Sequence, residues 1–318
     1  MYTAYHGLRE NPFNLTPDYR YFFFSRQHRE ALNHLLYGIH ERKGFIVLTG
    51  GIGTGKTTIC RALLAGLEDT VDTALVFNSF LSDMELLGAI LDELGVKPEA
   101  PGGGKKAYID RLNKFLLDNF SAGRNTVLVI DEAQNLSFAA LEQIRMLSNL
   151  ETEREKLIQI VLIGQPELGD VLASPSLKQL NDRITVRYDL DSLSRDESRK
   201  YIAHRLKTAD QGGKGAVQFT ARAYRLIHRG ARGNPRHINA ICDRALLVAY
   251  AKNRNVVDGG IVRNALVDLR GIPGRKRGGL RRLLFILIPA FLSTTAVLLF
   301  YYRNEIAQVF LSWKTYLT

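Results

Sequence analysis

Cysteine is scarce in this sequence. The 318 residues hold two, Cys60 and Cys242, far apart and each inside an apolar, helix-like pattern. That excludes a disulfide-stapled scaffold and reads both thiols as small core side chains in a reducing, cytosolic setting. The opening MYTAYHGLRE lacks a basic stretch followed by an apolar one, so no cleavable export signal is expected. Internal repeats are lacking too, which excludes a solenoid. Acid is outnumbered, 32 residues against 43 basic ones, for a formal charge of +11. Much of that excess sits in residues 271–318, with seven basic residues and one acid, Glu305; the first 270 residues carry only +5. So mild a bias is weak support for nucleic-acid binding, and nucleic acid is not an expected partner. The last absence is of charge altogether. From Leu283 to Tyr302 twenty residues run without one, enough for a helix of about 30 Å, roughly the hydrocarbon thickness of a bilayer.

The rest of the chain is patterned for a folded body. Apolar Ala31, Leu32, Leu35, Leu36 and Ile39 recur at helical spacing over 27–42. Five apolar runs read as strands: FIVLTG (45–50), TALVFN (73–78), TVLVID (126–131), LIQIVLIG (157–164) and ITVRYDL (184–190). Amphipathic helices are predicted between them at 56–67, 83–94, 106–121 and 138–150. Such alternation implies a parallel sheet covered on both faces, an α/β fold. KPEAPGGGKK (97–106) reads as a surface loop, and YFFF (21–24) as a buried edge or partner contact. After Leu190 the pattern turns helical. Ser194 and Glu197 form a capping box, and helices are predicted at 195–209, 220–230, 235–252 and 259–269, with no strong strand among them.

The chemistry starts at Gly50-Gly51-Ile52-Gly53-Thr54-Gly55-Lys56-Thr57-Thr58, which fits G-x-x-x-x-G-K-[ST] between a strand and a helix. Glycines let successive amides curl toward phosphates, and the helix N-terminus adds its dipole. Lys56 is placed to reach the β and γ phosphates of ATP and Thr57 to ligate Mg²⁺. Asp131 and Glu132 close an apolar strand; Asp131 is the second metal residue and Glu132 the group that polarises attacking water. Gln165, after Gly164, could sense the γ-phosphate or simply cap its loop. Arg183 could be an arginine finger for a neighbouring subunit or make a local bridge, with Arg187 a lesser candidate. Arg236, opening a helix in GNPR, could reach the γ-phosphate from above or pair with a helix end.

This order of elements resembles the AAA+ ATPases: a P-loop core with a five-stranded parallel sheet (1–190) and a small helical lid (191–270). Longer blocks sharpen the resemblance. YHGLRENPFNLTPD (5–18), GIHERKGFIVLTGGIGTGKTT (38–58), DEAQNLSFAALEQIRMLSNLET (131–152), IGQPELGDVL (163–172), QLNDRITVRYDL (179–190) and GNPRHINAICDRALLVAY (233–250) are similar to the general secretion pathway protein A type of AAA+ ATPase. The resemblance implies a cytoplasmic ATPase with a single span of the bacterial inner membrane, serving type II secretion, pilus or polysaccharide-export machinery. It also implies a periplasmic part that engages peptidoglycan. Here 303–318 follow the apolar run, too few for that domain, so direct peptidoglycan binding is not expected. Gly51 stands where relatives often have glutamate, a change the backbone-driven loop should tolerate.

The tail sets an orientation. Residues 271–282 form a basic juxtamembrane linker, 283–302 the transmembrane helix and 303–318 a short extracytoplasmic tail. The basic excess before the run places the ATPase in the cytoplasm. The expected function is a membrane-tethered AAA+ ATP hydrolase, active as a homo-oligomer, that acts on inner-membrane export or assembly proteins. The alternative is a DNA-associated AAA+ ATPase of the transposition-helper type.

Overall fold

Strands that are apolar on both faces need cover on both, and the alternation of strand and helix supplies it. The computed structural model describes residues 1–269 except 17, 78–79, 98–103, 154, 211 and 213–216, together with Tyr302 and Trp313. Met1–Leu269 is one unit and Arg270–Thr318 a second. The expected membrane helix at 283–302 and its basic linker therefore lie outside the described residues, apart from Tyr302. Among the described residues no helix is long and apolar enough to cross a membrane.

The first unit opens with α1 (Tyr2–Tyr5), α2 (Arg26–His40), β1 (Phe45–Gly50), α3 (Lys56–Gly66), β2 (Val71–Val76) and α4 (Asp83–Glu93). Then come α5 (Lys105–Ser121), β3 (Asn125–Ile130), α6 (Phe138–Leu147), β4 (Gln159–Gly164), α7 (Pro166–Leu172), α8 (Lys178–Asn181) and β5 (Ile184–Leu190). The helical part holds α9 (Arg195–Ala209), β6 (Gln218–Phe219), α10 (Ala221–Ala231), α11 (Pro235–Ala251), β7 (Val256–Val257) and α12 (Gly259–Leu269).

The five long strands make one parallel sheet in the order β2-β3-β4-β1-β5. β1 and β4 are buried at every position, as their unbroken apolar runs require. Side chains alternate between the two faces. Phe45, Val47, Leu128, Ile130 and Leu162 pack with Leu86, Ile90, Leu112 and Ile144 of α4, α5 and α6. Ile46, Leu48, Val129 and Ile163 pack with Leu35, Ile39, Ile59 and Leu63 of α2 and α3. Cys60 and Cys242 are free and buried, as expected.

A third core differs from the expected division at residue 190. Leu8, Phe13 and Tyr21 pack with Leu193, Ile202, Ile227, Ile238 and Leu246 of the helical part, not with the sheet. The reason is partly polar. The buried Arg205 guanidinium donates to the carbonyls of Pro12 at 2.5 Å and Asn14 at 3.3 Å and lies 4.9 Å from the Tyr21 ring centroid. The first two dozen residues thus strap the helices of the C-terminal part. The helical part also holds a strand pair that was not expected, since β6 and β7 are two residues each and too short to show a period.

Because β1, β3 and β4 are adjacent and parallel, their C-terminal ends bring Gly50, Asp131 and Gln165 to one edge. That edge is where open α/β sheets bind ligands.

Candidate active site

Residues 51–55 join β1 to α3, and two glycines turn the chain there, Gly53 at φ +77° and Gly55 at φ +108°. A Cβ on Gly55 would lie 2.5 Å from His28 Nε2, and one on Gly53 2.7 Å from Arg236 Cβ. Both positions need glycine for conformation and for room. The turn delivers the chain to the N-terminus of α3, which has no side-chain cap, so its first amides face the cleft.

Lys56 is 6% exposed, and its Nζ donates to the carbonyls of Gly50 at 2.7 Å and Gly51 at 3.1 Å. Burial pushes its pKa down, while the carboxylates of Glu132, Asp131 and Glu167 oppose that shift. Thr57 Oγ1 donates to Asp131 Oδ2 at 3.1 Å, which joins the two expected metal residues. Asp131 Oδ1 accepts the Glu132 amide at 2.9 Å. At 3% exposure Asp131 is pushed up by burial, and the hydrogen bonds from the Glu132 amide and Thr57 pull it back.

Glu132 lies in the left-handed region at φ +53°, which turns the chain off the sheet edge. Its Oε2 accepts from Gln134 Nε2 at 2.7 Å and from Gln165 Nε2 at 3.3 Å. Gln134 Oε1 in turn accepts the backbone amide of Gln165 at 3.0 Å. Gln134 therefore ties the end of β3 to the end of β4.

The helical part reaches the loop through α11. Asn234 caps it, its Oδ1 accepting the amides of Arg236 at 3.0 Å and His237 at 3.2 Å. The same side chain donates from Nδ2 to the Ile52 carbonyl at 2.5 Å. Arg236 is exposed and lines a cleft of about 470 Å³ shared with Lys56, Thr57, Glu132 and Gln165. From α2, buried His28 bonds the Thr54 carbonyl at 3.0 Å through Nε2 and Ser25 Oγ at 2.6 Å through Nδ1. Burial lowers its pKa.

The expected residues fall into two groups. Residues 52–58, Glu132, Gln165 and Arg236 line the cleft, and buried Asp131 joins it through its bond to Thr57, while Gly50 and Gly51 line a neighbouring cavity. Arg183 does not reach the cleft: it precedes Ile184, which pairs with Phe45 at the start of β1, whereas the loop follows Gly50 at the other end. Six residues of strand separate them by about 20 Å. Arg183 donates from Nη1 to Ser148 Oγ at 2.7 Å and to the Arg145 carbonyl at 3.2 Å, and Arg187 bonds Asn181. Arg183 cannot serve its own chain's loop; Arg187 pairs with Val47 in mid-strand and lines a cavity with Gly50 and Gly51. Gln134, His28 and Asn234 are the residues that sequence reasoning left unassigned. Only Asn234, an asparagine before a helix-opening proline, carried a local signal, that of a helix cap.

Residues 39–172 match the family model of the AAA domain. Over 274 residues, 86% of this chain, the sequence is 44% identical to General secretion pathway protein A of Aeromonas hydrophila. The chain belongs to the AAA+ family of that protein. It spans 49% of that relative's length. Among solved structures the fold is similar to CDC6P from Pyrobaculum aerophilum (TM-score 0.60, 18% identity, covering 80% of this chain and 69% of the other). It is similar too to the ORC2 protein of Aeropyrum pernix in ADPNP–ADP complexes (TM-score 0.56, 17% identity, 80% and 71% covered). At such identities these structures speak to the fold alone.

Proposed function

We propose that this AAA+ chain binds and hydrolyses ATP with Mg²⁺, and that it does so tethered to the bacterial inner membrane to drive or regulate assembly of an envelope export system. The observation that carries the reading is the linked set Thr57–Asp131–Glu132–Gln165 set beside a glycine-turned phosphate loop. The residues fit the nucleotide. Amides of the loop and Lys56 would hold the phosphates, and Thr57 and Asp131 the metal, which supplies charge neutralisation on the phosphoryl group. Glu132 orients the attacking water, Gln165 and Gln134 hold that carboxylate, and Arg236 neutralises phosphate charge from the helical part, which serves as lid. Arg183 acts in trans, so the site is complete in a homo-oligomer. The export role is supported by the relative's name and by the uncharged run 283–302, and the basic excess before that run supports a cytoplasmic ATPase.

Lys56→Ala should abolish nucleotide binding, and Glu132→Gln should retain binding while losing turnover, read by nucleotide titration and phosphate release. Full turnover in Glu132→Gln would assign the base elsewhere. In-cell crosslinking of Glu132→Gln should capture inner-membrane export proteins. ATPase activity strongly stimulated by DNA, in a salt-sensitive way, would instead favour the transposition-helper type.

A further inference from the structure

The whole-chain charge hides an asymmetry inside the first unit. Residues 1–190 hold 20 basic and 24 acidic side chains, net −4, whereas 191–270 hold 16 basic and 7 acidic, net +9. Part of that excess is gathered on one helix. α10 turns Ala223, Ile227 and Ala231 inward onto the helical core, at a four-residue spacing. Its outward row is Arg222, Arg225 and Arg229, continued by Arg232 at the left-handed C-cap, and all four are exposed. Among the described residues none of these guanidiniums has a hydrogen-bond or ion-pair partner. Like charges at this spacing repel one another and weaken the helix that carries them. A row of this kind is suited to a surface dense in negative charge.

The packing of α10 says where the row lies relative to the chain's exit. A Cβ on Gly259, the first residue of α12, would lie 2.9 Å from Arg222 Cδ, and one on Gly230 2.8 Å from Leu266 Cδ2. The two helices thus run side by side in the same direction. Arg229 and Arg232 sit at the end where the chain leaves α12 at Leu269. The next thirteen residues, 270–282, carry six basic side chains and no acid before the uncharged run begins. Thirteen residues span at most roughly 45 Å at full extension.

We propose that the arginine row of α10 docks on the anionic phospholipid headgroups of the bilayer that residues 283–302 enter. This rests on the tether proposed above. The short basic link keeps the row near that surface, which favours headgroups over a diffusing polyanion. No large apolar side chain of α10 is exposed, so the contact is electrostatic adsorption without insertion. Each arginine held near such a surface adds about fivefold to the partition, and salt weakens it.

The test uses the full chain reconstituted in vesicles of phosphatidylcholine, with or without phosphatidylglycerol. A fluorophore is placed on Ala221→Cys, exposed at the start of α10; the native thiols are buried. Quenching by headgroup-labelled lipid should appear only with phosphatidylglycerol and fade with salt. It should vanish in the triple variant Arg222→Glu, Arg225→Glu, Arg229→Glu and fall in the Arg→Gln triple, with melting not lowered and resistance to alkaline carbonate unchanged. A carbonate-resistant chain that shows no such quenching, or equal quenching in both vesicles, overturns the docking and leaves the tether standing. Release by carbonate overturns both. Salt-sensitive binding of duplex DNA by the same row, without response to phosphatidylglycerol, overturns the proposal in favour of nucleic acid.

Discussion

Gln134 stands between Glu132 and Gln165, the two residues to which the proposed hydrolysis gives the placement of water and γ-phosphate. Its amide nitrogen holds Glu132 and its amide oxygen holds the Gln165 backbone, so one side chain sets the distance between the ends of β3 and β4. Removing it takes away the shorter of the bonds from Gln134 and Gln165 to a carboxylate whose placement matters on the ångström scale. Gln134→Ala should lower kcat by about 10–100-fold with KM nearly unchanged. Steady-state kinetics check this, and a KM change alone would make Gln134 a binding residue. At the loop, Gly55→Ala meets His28 Nε2 and an unfavourable φ together, and should cost about 1–3 kcal/mol in denaturant unfolding. The glycines were legible in the sequence because a phosphate loop is local, written in eight consecutive residues. Gln134 and His28 were not, because their partners lie on other strands and helices and only folding brings them together.

At the scale of elements, the five strands were legible to within two residues at either end. β1 and β5 match their apolar runs in full, and β2 starts two residues early because Val71 and Asp72 pair with Asn125 and Thr126. The N-terminal strap was not legible, since its anchor is a buried arginine bonded to carbonyls, a contact with no sequence period. Arg183 shows the same limit. Its position before β5 was clear, but its bonds to Ser148 and the Arg145 carbonyl were not. Arg183→Ala should therefore have two separable effects. Losing the local bonds should cost about 1–2 kcal/mol of stability. Losing a finger in trans should cut turnover by about 10³-fold. Mixing resolves them: a Lys56→Ala chain, which cannot hold nucleotide yet carries Arg183, should restore turnover to the Arg183→Ala chain. Failure to complement, with only the stability loss, would leave Arg183 a structural residue.

For the whole molecule, acid should loosen the junction between the N-terminal segment, the phosphate loop and the helices. His6, His28 and His204 all have pKa values lowered from 6.5, in each case chiefly by burial. They lie on that junction: His6 bonds the Leu246 carbonyl at 3.1 Å, His28 the Thr54 carbonyl at 3.0 Å, and the His204 ring centroid lies 5.9 Å from that of Phe23. The folded chain binds these protons less readily than the unfolded one. Their contribution is therefore complete above pH 6.5 and is lost as pH falls through the lowered values. Each proton difference gives a slope of up to about 1.4 kcal/mol per pH unit. Asp131 works the other way: raised by burial, it adds stability when protonated, in the range between its raised value and 3.8. Denaturant midpoints should thus decline on acidification below 6.5; Asp131 opposes the decline as it takes its proton, and carboxylates held below their ordinary range, such as Asp72 and Glu197, deepen it again at lower pH. His28→Gln, which can still donate to the Thr54 carbonyl but does not titrate, should make the decline shallower. A midpoint that holds steady across the pH unit below 6.5 would show that these rings accept their protons without disturbing the junction.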